Sequence, residues 1–150
     1  MTDSLIVAIG ADHGGVLLKN RLAAVLAEAG HQVLDFGTDG LASVDYPDFA
    51  QAVCGAITRA EADLGVLVCG TGIGMSIAAN RHPAIRCALV HDVTTALLTR
   101  AHNNANVIAM GARIIGEEVA LDILNAFLTT NYEGGRHDRR IAKLNLESAE

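Results

Sequence analysis

From Leu5 onward, short runs rich in β-branched residues alternate with segments of helical periodicity, and nothing breaks the alternation. The runs fall at 5–10, 31–36, 64–69, 86–91 and 106–110, and helical patterns occupy 14–29, 47–60, 73–81, 92–103 and 116–128, with a helical tail near 136–147. Strands separated each time by a helix-length crossover return to the same end of the sheet, so they pair in parallel and need helices on both faces. The pattern predicts an α/β protein, a doubly wound three-layer α/β/α sandwich on a five-stranded parallel sheet with a C-terminal helical tail. Leu18, Leu22, Val25, Leu26 and Ala29 form one apolar stripe with Gly30 as its stop, which packs the first helix on the sheet. With 150 residues and no linker, repeat or low-complexity stretch, residues 1–150 suit one domain.

In such a fold ligands bind beyond the carboxyl ends of the strands, so the informative residues are those that follow strands. These are Asp12-His13-Gly14-Gly15, Cys69 to Gly74, and His91-Asp92. Cys69 ends the apolar run Leu64-Gly65-Val66-Leu67-Val68 and opens C-G-T-G-I-G, whose slim backbone can bring N–H groups at a helix start close to an anion. A helix N-terminus also stabilises a thiolate. The opposing reading is a small buried hydrophobe, which suits Cys54 and Cys87 inside a helix and a strand, and local pattern leaves both open for Cys69. A cysteine-phosphatase loop is excluded, because it requires Arg six residues after the thiol and Met75 stands there. G-A-D-H-G-G lacks the dinucleotide fingerprint, although Asp35 at the end of the second strand is placed to mimic its ribose-binding acid. Asp12 alternatively reads as a helix N-cap and His13 as a first-turn polar residue.

The net charge of −6 and an aromatic content of 3% argue against nucleic-acid binding, which draws on cationic contacts and stacking. Any phosphate site must be local. The one concentration of positive charge is Gly134-Gly135-Arg136-His137-Asp138-Arg139-Arg140, where Arg136 and Arg140 share a helix face, either as a solvated surface or as a clamp for one phosphate. His102-Asn103 ends the fourth helix, where both residue types are favoured for local reasons alone. The six His are scattered without a pair at metal-ligand spacing, and the three Cys give neither a zinc pattern nor a disulfide framework. The chemistry is expected to be metal-free and cofactor-free. No signal pattern or membrane-length apolar run is present, which leads to an expectation of a cytoplasmic protein with no membrane partner. A hydrophobic content of 51% with few aromatics leaves apolar surface for a partner subunit.

Taken in order, G-A-D-H-G-G, D-Y-P-D at 45–48, C-G-T-G-I-G-M-S-I-A-A-N at 69–80, R-A-H-N-N-A-N-V at 100–107 and E-G-G-R-H at 133–137 closely resemble the ribose-5-phosphate isomerase B family, which includes the galactose-6-phosphate isomerase subunits. The resemblance covers nearly the whole chain and implies a Rossmann or flavodoxin-like fold. It implies an aldose–ketose isomerase interconverting D-ribose 5-phosphate and D-ribulose 5-phosphate, in which Cys69 is the base and His102 the acid that opens the sugar ring. Gly70, Thr71, Gly72, Ile73 and Gly74 would present N–H groups, with the Thr71 hydroxyl, to the developing oxyanion. Asp12, His13 and Asn103 would bind sugar hydroxyls, and Arg113, Arg136 and Arg140 the phosphate or the rest of the substrate. Family members without this Cys use a Glu at the position of Met75, so this chain is of the thiol type. Tyr46 falls near the sugar with no role assigned.

Topology adds a constraint. Cys69 lies at the carboxyl edge of the sheet, whereas the helix ending at His102 starts at that edge and runs back roughly 15 Å. One substrate can meet both only if His102 comes from a twofold-related partner, which implies a homodimer or a tetramer with shared sites. Two alternatives stand: an isomerase of another phosphosugar (allose 6-phosphate, galactose 6-phosphate or a tetrulose phosphate), and a non-catalytic sugar-phosphate or nucleotide-binding module on the same fold.

Overall fold

The computed structural model describes residues 3–146. Five strands, β1 (Ile6–Ala11), β2 (Gln32–Asp35), β3 (Leu64–Cys69), β4 (Cys87–Leu89) and β5 (Val107–Gly111), alternate with helices α1 (Val16–Glu28), α2 (Tyr46–Thr58), α3 (Ile73–Ala79), α4 (Val93–Asn103) and α5 (Glu117–Thr129). A short α6 (Arg136–Ala142) follows. All pairings are parallel, in the order β2-β1-β3-β5-β4. The doubly wound sandwich expected from the alternation is therefore present. Each element begins or ends within a few residues of its expected place, β4 being shorter because it is an edge strand held by β5 alone.

The side-chain alternation of the strands divides the core into two layers. Val7, Ile9, Val66, Val68, Ile108 and Met110 point towards one face and pack with Leu22 and Leu26 of α1, Ala96 of α4 and Ile123, Leu124 and Phe127 of α5. Ala8, Leu67, Cys69, Val107 and Ala109 point the other way, against Ala50, Val53 and Cys54 of α2 and Met75 and Ala79 of α3. Cys69 thus continues the α2/α3 face of its strand, and its thiol emerges where α3 begins.

Three expectations need correction. The first-helix stripe holds at Leu22 and Leu26, but Ala29 is exposed beyond the helix and Lys19 is buried on the core side. Lys19 enters because its ammonium meets both carboxylate oxygens of Asp35 at 2.8 and 2.7 Å, its stem packing while its charge is paired at the rim. Asp35 is consequently not a ribose-binding acid: Lys19 and the Gly37 N–H, at 2.9 Å, already occupy it. The C-terminal helix ends at Ala142 rather than near residue 147, which lies outside the described residues.

Candidate active site

The end of β3 and the end of β5 lie side by side, Cys69 in register with Gly111. Gly111 has no side chain for a reason: a Cβ there would lie 2.7 Å from the Thr71 backbone. The thiol loop therefore rests on the end of β5. At Gly72 the backbone has φ +76°, and a Cβ would meet Met110 backbone at 2.8 Å, so this turn requires glycine. The sharp turn brings the Gly72 N–H to within 3.1 Å of Cys69 Sγ, to which it donates. The sulfur of Cys69, a residue 5% exposed, is thus held by a backbone dipole at the mouth of α3.

The surrounding groups come from three other segments. Asp12 is not a helix N-cap, a position taken by Gly15; its Oδ1 accepts from Gly14 N–H at 2.9 Å, shaping the turn that abuts Gly70. His13 accepts the Val44 N–H on Nδ1 at 3.2 Å, which leaves its Nε2 as the protonated nitrogen when neutral. The Arg113 N–H donates to the Gly70 carbonyl at 3.0 Å, and its guanidinium lies beside the same glycine. Arg113, His13 and Gly14 line a cleft of about 440 Å³ there. The Tyr46 ring lies against Gly74, where a Cβ would come within 2.7 Å of it. Within the loop, two of the five N–H groups are already engaged: Gly72 by the thiol, and Ile73 by the Thr71 hydroxyl at 3.3 Å. His91 and Asp92 turn out to be structural, His91 accepting from Gly111 N–H at 3.2 Å and Asp92 capping α4 through Thr95 N–H at 2.7 Å.

His102 is elsewhere. The Asn106 carbonyl accepts from Gly65 N–H at 2.8 Å, which fixes the end of α4 beside the start of β3, about 13 Å of strand from Cys69. In R-A-H-N-N-A-N the scaffold roles are separable. Arg100 holds Asn104 and the Ala105 carbonyl, Asn104 adopts φ +45° to end the helix, and Asn106 binds Arg86 N–H and the Ala84 carbonyl. His102 and Asn103 instead face a cleft of about 280 Å³, lined also by His137, Arg140, Ile141 and Leu144. The α6 helix packs on the end of α4, and the Glu133 N–H donates to the Ala101 carbonyl at 3.0 Å, so the exposed Arg136 and Arg140 stay at this edge. The candidate residues thus fall into two groups at opposite edges of one sheet. Asp12, His13, Cys69 to Gly74 and Arg113 form one, and His102, Asn103, Arg136 and Arg140 the other.

The chain as a whole is similar to known proteins. Residues 7–144 match the Ribose/Galactose Isomerase family. The chain belongs to that family. It is 44% identical to ribose-5-phosphate isomerase B of Escherichia coli K12, over 90% of this chain and 91% of that protein. It is 40% identical to the galactose-6-phosphate isomerase subunit LacB of Clostridium acetobutylicum, covering 93% of this chain and 80% of the relative. The solved structure of a ribose 5-phosphate isomerase from Thermotoga maritima superposes with a TM-score of 0.92 at 48% identity, over 94% of this chain and 97% of that one. The chain is therefore a sugar-phosphate isomerase. Among its described residues no helix is long and apolar enough to cross a membrane.

Two features of this isomerase were named in its sequence but given no role in the site. One is Glu133 with His137, which lie against His102; their four-residue spacing is the signal that would have found them. The other concerns the remaining thiols. Burial pushes the Cys54 thiol up to about 11, and burial with Cys54 beside it raises Cys87 further still. Alkylation of the folded protein with iodoacetamide at pH 8, read by peptide mass spectrometry, should therefore leave Cys54 and Cys87 largely unmodified. Modification of Cys54 or Cys87 before unfolding would contradict their reading as inert thiols.

Proposed function

We propose that this isomerase interconverts D-ribose 5-phosphate and D-ribulose 5-phosphate without a cofactor, in a homodimer whose sites combine the thiol loop of one subunit with the His102 edge of the other. The observation that carries the reading is the Cys69 thiol held by the Gly72 N–H at a strand end, next to Asp12, His13 and Arg113. Only a partner subunit can bring His102, Asn103, Arg136 and Arg140 to that loop. A surface suited to the partner surrounds the uncovered edge strand β4: Ile73, Ile77, Leu89, Val93 and Leu97 are each 40–53% exposed.

The chemistry then follows from proton inventory. The partner's imidazolium gives a proton to the ring oxygen as the C1–O ring bond breaks, while the anomeric hydroxyl gives its proton to water, from which the imidazole is reprotonated, and becomes the aldehyde. The Cys69 thiolate takes the C2 proton, and the electron pair moves into an enediolate whose negative oxygen faces the loop N–H groups and the Thr71 hydroxyl. The proton held by sulfur is returned to C1 and the C2 hydroxyl proton passes to O1, leaving the ketose and a regenerated thiolate. Arg136 and Arg140, one helical turn apart, clamp the phosphate and fix the distance from it to the reacting carbons.

The relative named as a galactose-6-phosphate isomerase subunit favours a second reading, in which the chain acts on a six-carbon phosphosugar. Measuring kcat/KM across ribose 5-phosphate, allose 6-phosphate, galactose 6-phosphate and erythrose 4-phosphate decides between them. Ribose 5-phosphate is expected to lead by at least about tenfold, in keeping with the worth of one misplaced group in a fitted pocket. A six-carbon sugar in the lead would assign the second reading, and turnover of none would leave a binding module.

A further inference from the structure

His102 does not stand alone in its cleft. Its ring stacks on that of His137, centroids 4.5 Å apart and 17° from parallel. His137 lies on α6 and is only 5% exposed, and its buried Nε2 has no hydrogen-bond partner. The Glu133 carboxylate lies 3.5 Å from His137 Nε2 and 3.8 Å from His102 Nε2. Three ligand-type atoms therefore lie within 4.8 Å of one another, but the arrangement suits a proton rather than a metal ion. In stacked rings the nitrogen lone pairs lie in two near-parallel planes and cannot converge on one ion, whereas tetrahedral ligation requires that they do. The adjoining helix adds the positive charges of Arg136, Arg139 and Arg140, and Asp138 is engaged by the Tyr132 hydroxyl at 2.6 Å.

We propose that Glu133 and His137 are positioning residues for His102: the buried His137 ring fixes the plane of the His102 ring, and the Glu133 carboxylate accepts from its Nε2–H so that Nδ1–H faces the substrate. The inference rests on the reading of His102 as the ring-opening acid. The fold supplies the means cheaply. The Glu133 N–H is tied to the Ala101 carbonyl, one residue before His102, so the carboxylate and the imidazole are anchored to the same helical turn. His137, four residues after Glu133, carries the second ring on the helix that closes the cleft. An imidazole whose one nitrogen is held by a carboxylate presents the other in a fixed tautomer, which ring stacking alone does not set. Glu133 is itself half-exposed, so its side chain can follow His102 when the substrate arrives.

Erythrose 4-phosphate separates ring opening from proton transfer, because its phosphorylated terminal hydroxyl leaves no ring to open. Glu133→Ala should lower kcat/KM for ribose 5-phosphate roughly tenfold or more and leave erythrose 4-phosphate within about twofold, with Glu133→Gln, which keeps an acceptor oxygen, recovering part of the loss. His137→Phe, which keeps a stacking ring, should stay near wild type on both sugars, while His137→Ala should follow Glu133→Ala. In parallel, 15N spectra of the His102 imidazole should show the Nε2–H tautomer in the wild type and a mixture in Glu133→Ala. Equal loss on both sugars, or an unchanged tautomer, overturns the proposal, as does stoichiometric zinc uptake by the wild type that Glu133→Ala abolishes. If His102→Ala does not discriminate between the sugars, the acid assignment fails instead, and the tautomer measurement still decides the positioning role.

Discussion

Replacing Cys69 with Ala is expected to lower kcat for ribose 5-phosphate by about a thousandfold, within the range contributed by a positioned general base, while KM changes no more than a few-fold. The asymmetry follows from where the sulfur sits. Cys69 is buried at the end of β3 and receives the Gly72 N–H, whereas the groups proposed to bind substrate come from the β1 turn, Arg113 and the partner's α6. Removing the thiol leaves those binding groups in place and deletes only an interaction with the migrating proton, which is the kinetic signature of a group acting in the transition state. The loop should survive the change, since its course is set by Gly72 at φ +76° and by the contact of Thr71 with Gly111. Met75 offers no substitute base: it is fully buried and its thioether does not ionise. A Cys69→Ala enzyme that keeps its kcat would remove Cys69 from the mechanism; a rise in KM alone would make it a binding residue.

Mixing two inactive variants gives the second large effect, recovery from nothing. Cys69→Ala and His102→Ala chains, each inactive alone, should regain about a quarter of wild-type sites once subunits have exchanged at random. Half the dimers are then mixed, and each mixed dimer has one site with both residues intact and one with neither. The expectation rests on the separation of the two residues, with Cys69 at the carboxyl edge of the sheet and His102 tied through Asn106 to the start of β3. A chain that folded its own His102 onto its own thiol would give no recovery. Native mass spectrometry confirms exchange, so an inactive mixture with verified mixed dimers would reject the shared site.

The same separation shows which parts of this protein were legible in its residues. The alternation of apolar runs was enough for the sandwich, because strand and helix periodicities are local and each run carries its own signal, as Leu64 to Cys69 does. The thiol loop was legible for a similar reason: thiol, glycines and helix start are contiguous in the chain. Its internal assignment was not. That Gly72 donates to the sulfur and Ile73 to Thr71 depends on a turn angle that no spacing encodes.

Polar residues gave the misleading signals. Asp35 had the position of a ribose-binding acid, and His91 and Asp92 followed a strand as functional residues do. Folding assigns them instead to Lys19, to Gly111 and to the cap of α4. Lys19 itself broke the apolar stripe from within, since a buried cation is tolerated only when a carboxylate from another element meets it. The sequence by itself determined the layered sheet, its carboxyl edge and the thiol that stands there, all of them properties of contiguous segments. Tertiary structure alone decided which polar groups are spent on the scaffold and which stay free, and that Glu133 and His137 gather around His102. Apart from the Asp92 cap, which is local, those outcomes depend on contacts between segments far apart in the chain, where the partner of a charge is set by packing and not by its neighbours in sequence.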